Sequence, residues 1–417
     1  MSNIIKNIIA LYGVQIIRLI LPLLMLPLLT ERLSAGNFGM YIYTISVSAW
    51  ISLAIDYGFN ISATREIAKE KNNIMIKAIV LKTQSAKYIL SLLSISIVPI
   101  CYFFVPVFEN HINWIFTAVL LGMLIGLMPQ YYYQAIERLK LFGFIEVLSG
   151  IALYVLVYFF AIGHHTNDIL MLCLVLTRVL PLLILSHLMF RNLNTSSVNF
   201  SFTSGLEQLK HCFSLFFFQL IVSLYTVFNM IFLGFFVSIV QVGIYGVSER
   251  LIRAGLGFIA QISNVIFPLL NKIKADGNVN LKRYRMMILC LFIIIGFSGC
   301  LLVNLISPIA IPWIFNGKYD DSIELINFMA WVIPAIAISN VLSLQYFLID
   351  GLESILNKVV SAASVVNLIL AYFMIQGYGY IGMAYTWVMI EWMISIILGV
   401  IIFCRSYSLR KLLFKID

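Results

Sequence analysis

Hydrophobic positions in this chain fall in long blocks, not in amphipathic stripes or in alternation. A helix that crosses a membrane needs about 20 mostly apolar residues, within about 17–25. By that rule twelve blocks predict membrane-spanning helices. They lie at about 7–30, 39–64, 87–107, 114–136, 143–163, 168–190, 212–236, 242–268, 286–308, 325–349, 357–377 and 380–404. The expected fold class is therefore all-α, a polytopic membrane protein. No small-residue cleavage site follows the first block, which reads as an uncleaved span.

The polar positions between blocks alternate in character. Connections after odd blocks are short and poor in cations, as in "ERLSAGNF" and "FENHIN". The even connections and the two tails carry 21 Lys and Arg, whereas the odd connections carry only Arg32 and Lys318. Positive charge collects on the cytoplasmic side of membrane proteins, so both termini and all even connections are expected there. The net charge of +9 thus becomes a topology signal, and no nucleic-acid partner is expected.

Two stretches 204 residues apart resemble each other. "LTERLSAGNFGMYIYTIS" begins at Leu29 and "LGFFVSIVQVGIYGVSER" at Leu233. Ser34 aligns with Ser238, Asn37 with Gln241, Gly39 with Gly243 and Tyr41 with Tyr245. The expected organisation is two six-helix bundles, 1–200 and 201–417, in the same orientation. Such parallel repeats occur in transporters whose halves rock against each other.

Composition narrows the picture further. Of 417 residues, 62% are hydrophobic and 11% charged, against about 25% charged in an average soluble domain. Mean hydropathy is +1.00. No soluble core could hide that much apolar surface. The six cysteines stand singly in apolar segments, so no metal is expected. There is no phosphate-binding G-x-x-x-x-G-K-[ST] stretch and no large extramembrane domain. No cofactor and no enzymatic activity are expected.

Ionisable residues at membrane depth are costly and tend to line wet cavities. Seven stand out: Arg18, Asp56, Arg178, Glu249, Arg250, Arg253 and Glu391. At about 1.5 Å per residue, Arg18 and Asp56 lie roughly 15–16 Å from the cytoplasmic side on consecutive helices. One reading pairs Asp56 with Arg18, and Glu249 with Arg253 one turn on. The other makes Arg18, Arg178, Arg250 and Arg253 a substrate-binding cavity, since guanidinium groups suit phosphate through bidentate bonds. Asp56, Glu249 and Glu391 then serve ion coupling or structural ion pairs. Glu146 reads as structural, near Lys140. The aromatic run "QYYYQ" at 130–134 fits either sugar stacking or an interfacial belt, and Trp114 and Trp313 fit the belt by position.

"LPLLTERLSAGNFGMYIYTISV" followed by "AIDYGFNISATREIAKEK" resembles the opening of bacterial polysaccharide transporters. More narrowly it resembles the Wzx-type O-antigen flippases of the multidrug/oligosaccharidyl-lipid/polysaccharide exporter superfamily. The match covers the first two spans; the twelve-span, two-half layout extends it in architecture alone. The resemblance implies a MATE-like fold in the bacterial inner membrane. It implies a substrate made of an oligosaccharide on undecaprenyl diphosphate, moved from the cytoplasmic to the periplasmic leaflet. It further implies membrane lipid, H+ or Na+ and other polysaccharide-assembly membrane proteins as partners. Two alternatives remain: a multidrug or small-molecule cation antiporter of the same fold, and a membrane-embedded enzyme of polysaccharide assembly.

Overall fold

The computed structural model describes residues 17–18, 20–163, 165–193, 201–275 and 280–413, the last eight and residue 275 by backbone alone. Every regular element among them is helical. In chain order these are α1 (20–32), α2 (Ala35–Asp56), α3 (Phe59–Lys69), α4 (Asn73–Ser94), α5 (Ile97–Phe104), α6 (Ile112–Leu127), α7 (Gln130–Ala135) and α8 (Leu139–Phe160). They continue with α9 (Thr166–Asn192), α10 (Phe202–Thr226), α11 (Phe228–Leu233), α12 (Ile239–Ala275), α13 (Leu281–Phe315), α14 (Asp321–Met329), α15 (Val332–Val341) and α16 (Glu353–Leu413). A π-helical stretch, Leu342–Leu348, extends α15.

Ten helical segments among the described residues are long and apolar enough to cross a membrane. The first expected span begins outside the described residues. The last segment, Glu353–Arg405, has 53 residues, roughly 80 Å of helix against a hydrocarbon core of about 30 Å. It is not one straight rod. Gly379 takes φ 60° and ψ −138°, a conformation that favours glycine. A side chain at Gly382 would collide with the carbonyl of Met374, so the chain folds back there. The expected spans 357–377 and 380–404 are both contained in this segment. The multi-pass, all-α expectation therefore holds.

The third span differs from its expected limits of 87–107. It starts at Asn73 and runs to Phe104. The polar run Thr83, Gln84, Ser85 marks the reason: all three are buried inside the helix bundle. α10 packs along this face of α4, and the Ser201 N–H donates to Ser85 Oγ at 3.3 Å.

The chain forms two compact units, Met1–Gly243 and Ile244–Asp417. The repeat places its division at 200/201, next to residues 194–200, which lie outside the described set. The packing of α10 on α4 puts the seventh span with the first unit. The matched phrases do share local structure. Ser34 Oγ accepts from the Asn37 N–H at 3.3 Å, and Ser238 Oγ accepts from the Gln241 N–H at 3.4 Å. Both serines thus cap helix N-termini, those of α2 and α12.

In the first unit α2 packs tightly along α6. Gly122 and Gly126 lie one turn apart on α6, and a Cβ at either would run into Ile51 or Ile55. This small-xxx-small spacing lets two membrane helices approach closely. Among the prolines, Pro334 stands in the first turn of α15, where its missing N–H costs little.

In the second unit, Arg285 on α13 holds Asp350 through two bonds of 3.1 and 2.8 Å. Lys274 at the end of α12 donates to Ile349 O at 2.5 Å and reaches Asp350 at 3.4 Å. The Arg285 guanidinium also lies over the Tyr346 ring, 5.0 Å from its centroid. These contacts tie the turn after the π-helix to two other helices. Burial pushes the Asp350 carboxyl up, but the bonds and charges of Arg285 and Lys274 outweigh it and hold it below the usual carboxylate value. A depressed folded-state value means the stabilisation is present above about pH 3.9 and is lost as pH falls through the lower folded value. Wild type is expected to unfold at a higher temperature than Asp350→Asn at pH 6, with the gap closing below about pH 4; thermal unfolding across this range checks it.

Candidate functional site

The "DYGFN" phrase breaks a helix that the apolar pattern makes continuous. α2 ends at Asp56, Tyr57 and Gly58 take φ 50° and 83°, and α3 starts at Phe59. The backbone N–H groups of Asn60 and Gly58 face the Asp56 carboxylate. An acid at this place satisfies N–H groups of the new helix and complements its dipole. Tyr57 stacks on Phe216 of α10, with ring centroids 4.1 Å apart.

A second break lies across from the first. α6 ends at Leu127, Met128 is extended, and Pro129 precedes α7. Proline favours an extended residue before it and supplies no N–H, so the last carbonyls of α6 lack helical partners. Lys87 of the unbroken helix α4 fills the gap. Its Nζ donates to Gly126 O at 2.9 Å and to Met128 O at 3.1 Å. Asp56 Oδ1 is 3.6 Å away, and the Lys87 side chain is only 1% exposed. The Tyr131 ring covers the ammonium, with its centroid at 5.2 Å.

Both breaks open onto a cavity of about 530 Å³ within the first unit. Asp56, Lys87 and Glu146 line it together with the neutral polar groups Asn60, Gln130 and Gln219. Glu146 on α8 pairs with Arg18 and also faces Arg178 of α9 at 4.0 Å. Two guanidinium groups thus share one carboxylate. Counting Asp56 and Lys87, this group has three cations and two anions.

The second unit has its own buried charges. Arg253 Nε donates to Glu249 Oε1 at 2.8 Å, one turn apart on α12. The Arg253 guanidinium sits 4.9 Å from the Trp387 ring centroid, a cation–π arrangement. Glu391 is buried beside the Trp387 indole N–H and in the field of Arg253. Arg250 is half-buried one residue after Glu249. These residues balance two cations with two anions.

The structure thus forms the Glu249–Arg253 pair read from the spacing. It does not form the Asp56–Arg18 pair. Arg18 goes to Glu146 and Asp56 to Lys87, because the helix break turns the acid toward α4. Lys87 stands at the expected start of the third span, yet it is buried in mid-helix; the polar run before it hides the true start of the span. Glu146, read as structural near Lys140, pairs instead with Arg18 and Arg178 and also walls the cavity. Tyr131, Tyr132 and Tyr133 of "QYYYQ" are buried core, and Tyr133 donates to Leu185 O at 2.7 Å. Trp114 is likewise buried, whereas Trp313 is exposed as a belt residue would be. Among the described residues no group of three or more His, Cys, Asp or Glu could hold a metal ion.

Residues 4–274, which contain the capping phrases, both helix breaks and the cavity, match the family described as "Polysaccharide biosynthesis protein". The chain belongs to that family. It is 25% identical over 420 aligned residues to a protein of Escherichia coli (strain K12) named "Putative O-antigen transporter", with 97% of each chain covered. A relative from Shigella dysenteriae with the same name is also 25% identical, over 91% of this chain and 94% of that one. Among solved structures, "Lipid II flippase MurJ, inward closed conformation" matches with a TM-score of 0.73 at 17% identity, covering 95% of this chain and 87% of that one. An outward-facing multidrug resistance MATE family transporter of the MOP superfamily matches with a TM-score of 0.61 at 15% identity, over 97% and 96% of the two chains. This member of the family therefore has the MATE-like fold, and the sequence relatives it matches are named as transporters.

Glu146→Gln removes the carboxylate shared by Arg18 and Arg178. The variant is expected to lose about 1–3 kcal/mol of stability, between the values for exposed and buried pairs. The loss should shrink at high salt as the two guanidinium charges are screened; thermal unfolding at low and high ionic strength measures both.

Proposed function

We propose that this protein is a flippase for a lipid-linked oligosaccharide. Its substrate is an O-antigen or similar repeat unit on undecaprenyl diphosphate, turned from the cytoplasmic to the periplasmic leaflet of the bacterial inner membrane. Transport proceeds by alternating access between two six-helix halves, with both termini cytoplasmic. The observation that carries this reading is the arginine surplus at depth: Arg18 and Arg178 have one carboxylate, Glu146, between them. A diphosphate is the anion that such a pair suits, because each guanidinium offers bidentate, charge-assisted bonds. The full-length likeness to relatives named as O-antigen transporters supports the saccharide part.

Arg250 and Arg253 complete the proposed substrate-binding set, while Glu249 and Glu391 act as their ion-pair partners. Asp56 takes the ion-pair role with Lys87. A cation antiporter would favour a surplus of carboxylates, whereas the linked charges around Glu146 and Asp56 count three cations against two anions. Coupling to H+ or Na+ and contact with other polysaccharide-assembly proteins belong to the same proposal.

Rescue of surface polysaccharide in a flippase-deleted strain tests it. The wild-type gene should restore display, whereas Arg18→Ala or Arg250→Ala should cut it roughly ten- to hundredfold with insertion unchanged. Wild-type display by well-expressed arginine variants would remove the diphosphate assignment.

A further inference from the structure

Three oxygen groups converge on one point at the facing helix breaks. Gly126 O and Met128 O come from the end of α6, and Asp56 Oδ1 from the end of α2. A fourth oxygen, Asn60 Oδ1, lines the same cavity and is buried without a hydrogen-bond partner. The three that meet at Lys87, two unwound-helix carbonyls and one carboxylate, are the kind of oxygens a hard cation takes as ligands. Their net charge of −1 matches a monovalent ion. The occupant in this chain is the Lys87 ammonium, whose donors point at protein oxygens and whose side chain is 1% exposed. This arrangement leaves Lys87 unsuited to holding a substrate phosphate.

We propose that this oxygen cage is a monovalent-cation site permanently filled by the chain's own Lys87. The occupant is covalently attached and cannot exchange, so the first unit binds no inorganic cation at this point. Lys87 is a positioning residue: it draws the α2–α3 and α6–α7 breaks together and fixes the cavity wall between them. Any coupling ion uses a different place in the molecule. The inference does not depend on which substrate is carried.

The test is thermal unfolding of the purified full-length protein in detergent, in sodium, potassium, methylammonium or choline chloride at equal ionic strength. At this point the wild type should respond to no salt, so any difference between its midpoints in the four salts should persist unchanged in Asp56→Asn. Lys87→Ala vacates the ammonium position but keeps the oxygens. Its midpoint should fall by roughly 5–10 °C in choline and recover saturably in methylammonium or sodium. Adding Asp56→Asn to Lys87→Ala should abolish that recovery. Lys87→Met fills the space with an uncharged chain of similar length, so its midpoint should fall and stay down in every salt. A wild-type midpoint that rises saturably with sodium, and stops doing so in Asp56→Asn, overturns the proposal. So does a Lys87→Ala or Lys87→Met protein that unfolds at the wild-type temperature. Should Lys87→Ala not fold in any salt, the wild-type and Lys87→Met measurements still decide.

Discussion

The buried Lys87 ammonium is the contact on which the first unit's interior depends. A charge at membrane depth persists only when paired or set against backbone oxygens. Here the oxygens come from two helices that stop midway, and irregular backbone at depth is tolerated only within protein or beside a wet cavity. Each feature therefore requires the others. Without the breaks, Gly126 and Met128 would have no free carbonyls to offer. Without the lysine, those carbonyls and Asp56 would be buried without a counter-charge, a defect of about 3–5 kcal/mol in comparable buried pairs. The close α2–α6 approach at Gly122 and Gly126 brings the two breaks to the same level.

Around this neutral pair the remaining charge is unbalanced in a useful way. Glu146 joins Arg18 and Arg178, so one cationic charge is left beside a cavity lined by amide and hydroxyl groups. In the second unit Glu249 and Glu391 match Arg250 and Arg253. The units differ in electrostatic character although the two repeated phrases share the same serine caps. The first group carries a net positive charge, whereas the carboxylates of the second balance its guanidinium groups.

Much of the architecture was legible from residue order. Blocks of about 20 apolar residues located the spans, since a bilayer sets that length, and the loop cations alternated along the chain. The serine caps at Ser34 and Ser238 and the i, i+4 pair of Glu249 and Arg253 are local features, readable within a few residues. What escaped was non-local. Asp56 and Arg18 stand at similar depth, but depth along a helix does not say which neighbour a side chain meets. The polar run Thr83–Gln84–Ser85 looked like a loop because burial against another helix cannot be seen in one strand of sequence. Lys87 was misplaced for the same reason.

Sequence by itself determined the class of molecule, its repeated openings and its stock of intramembrane charges, because hydropathy and local capping act over one helix at a time. The family match and the likeness to named transporters agree with that class. Only the tertiary structure decided the partners: Lys87 for Asp56, and Glu146 for both Arg18 and Arg178. Those choices follow from two helix breaks and a glycine-spaced contact, which rotate side chains toward helices distant in the chain. Pairing in a low-dielectric interior depends on distances of a few ångströms, and only packing sets those.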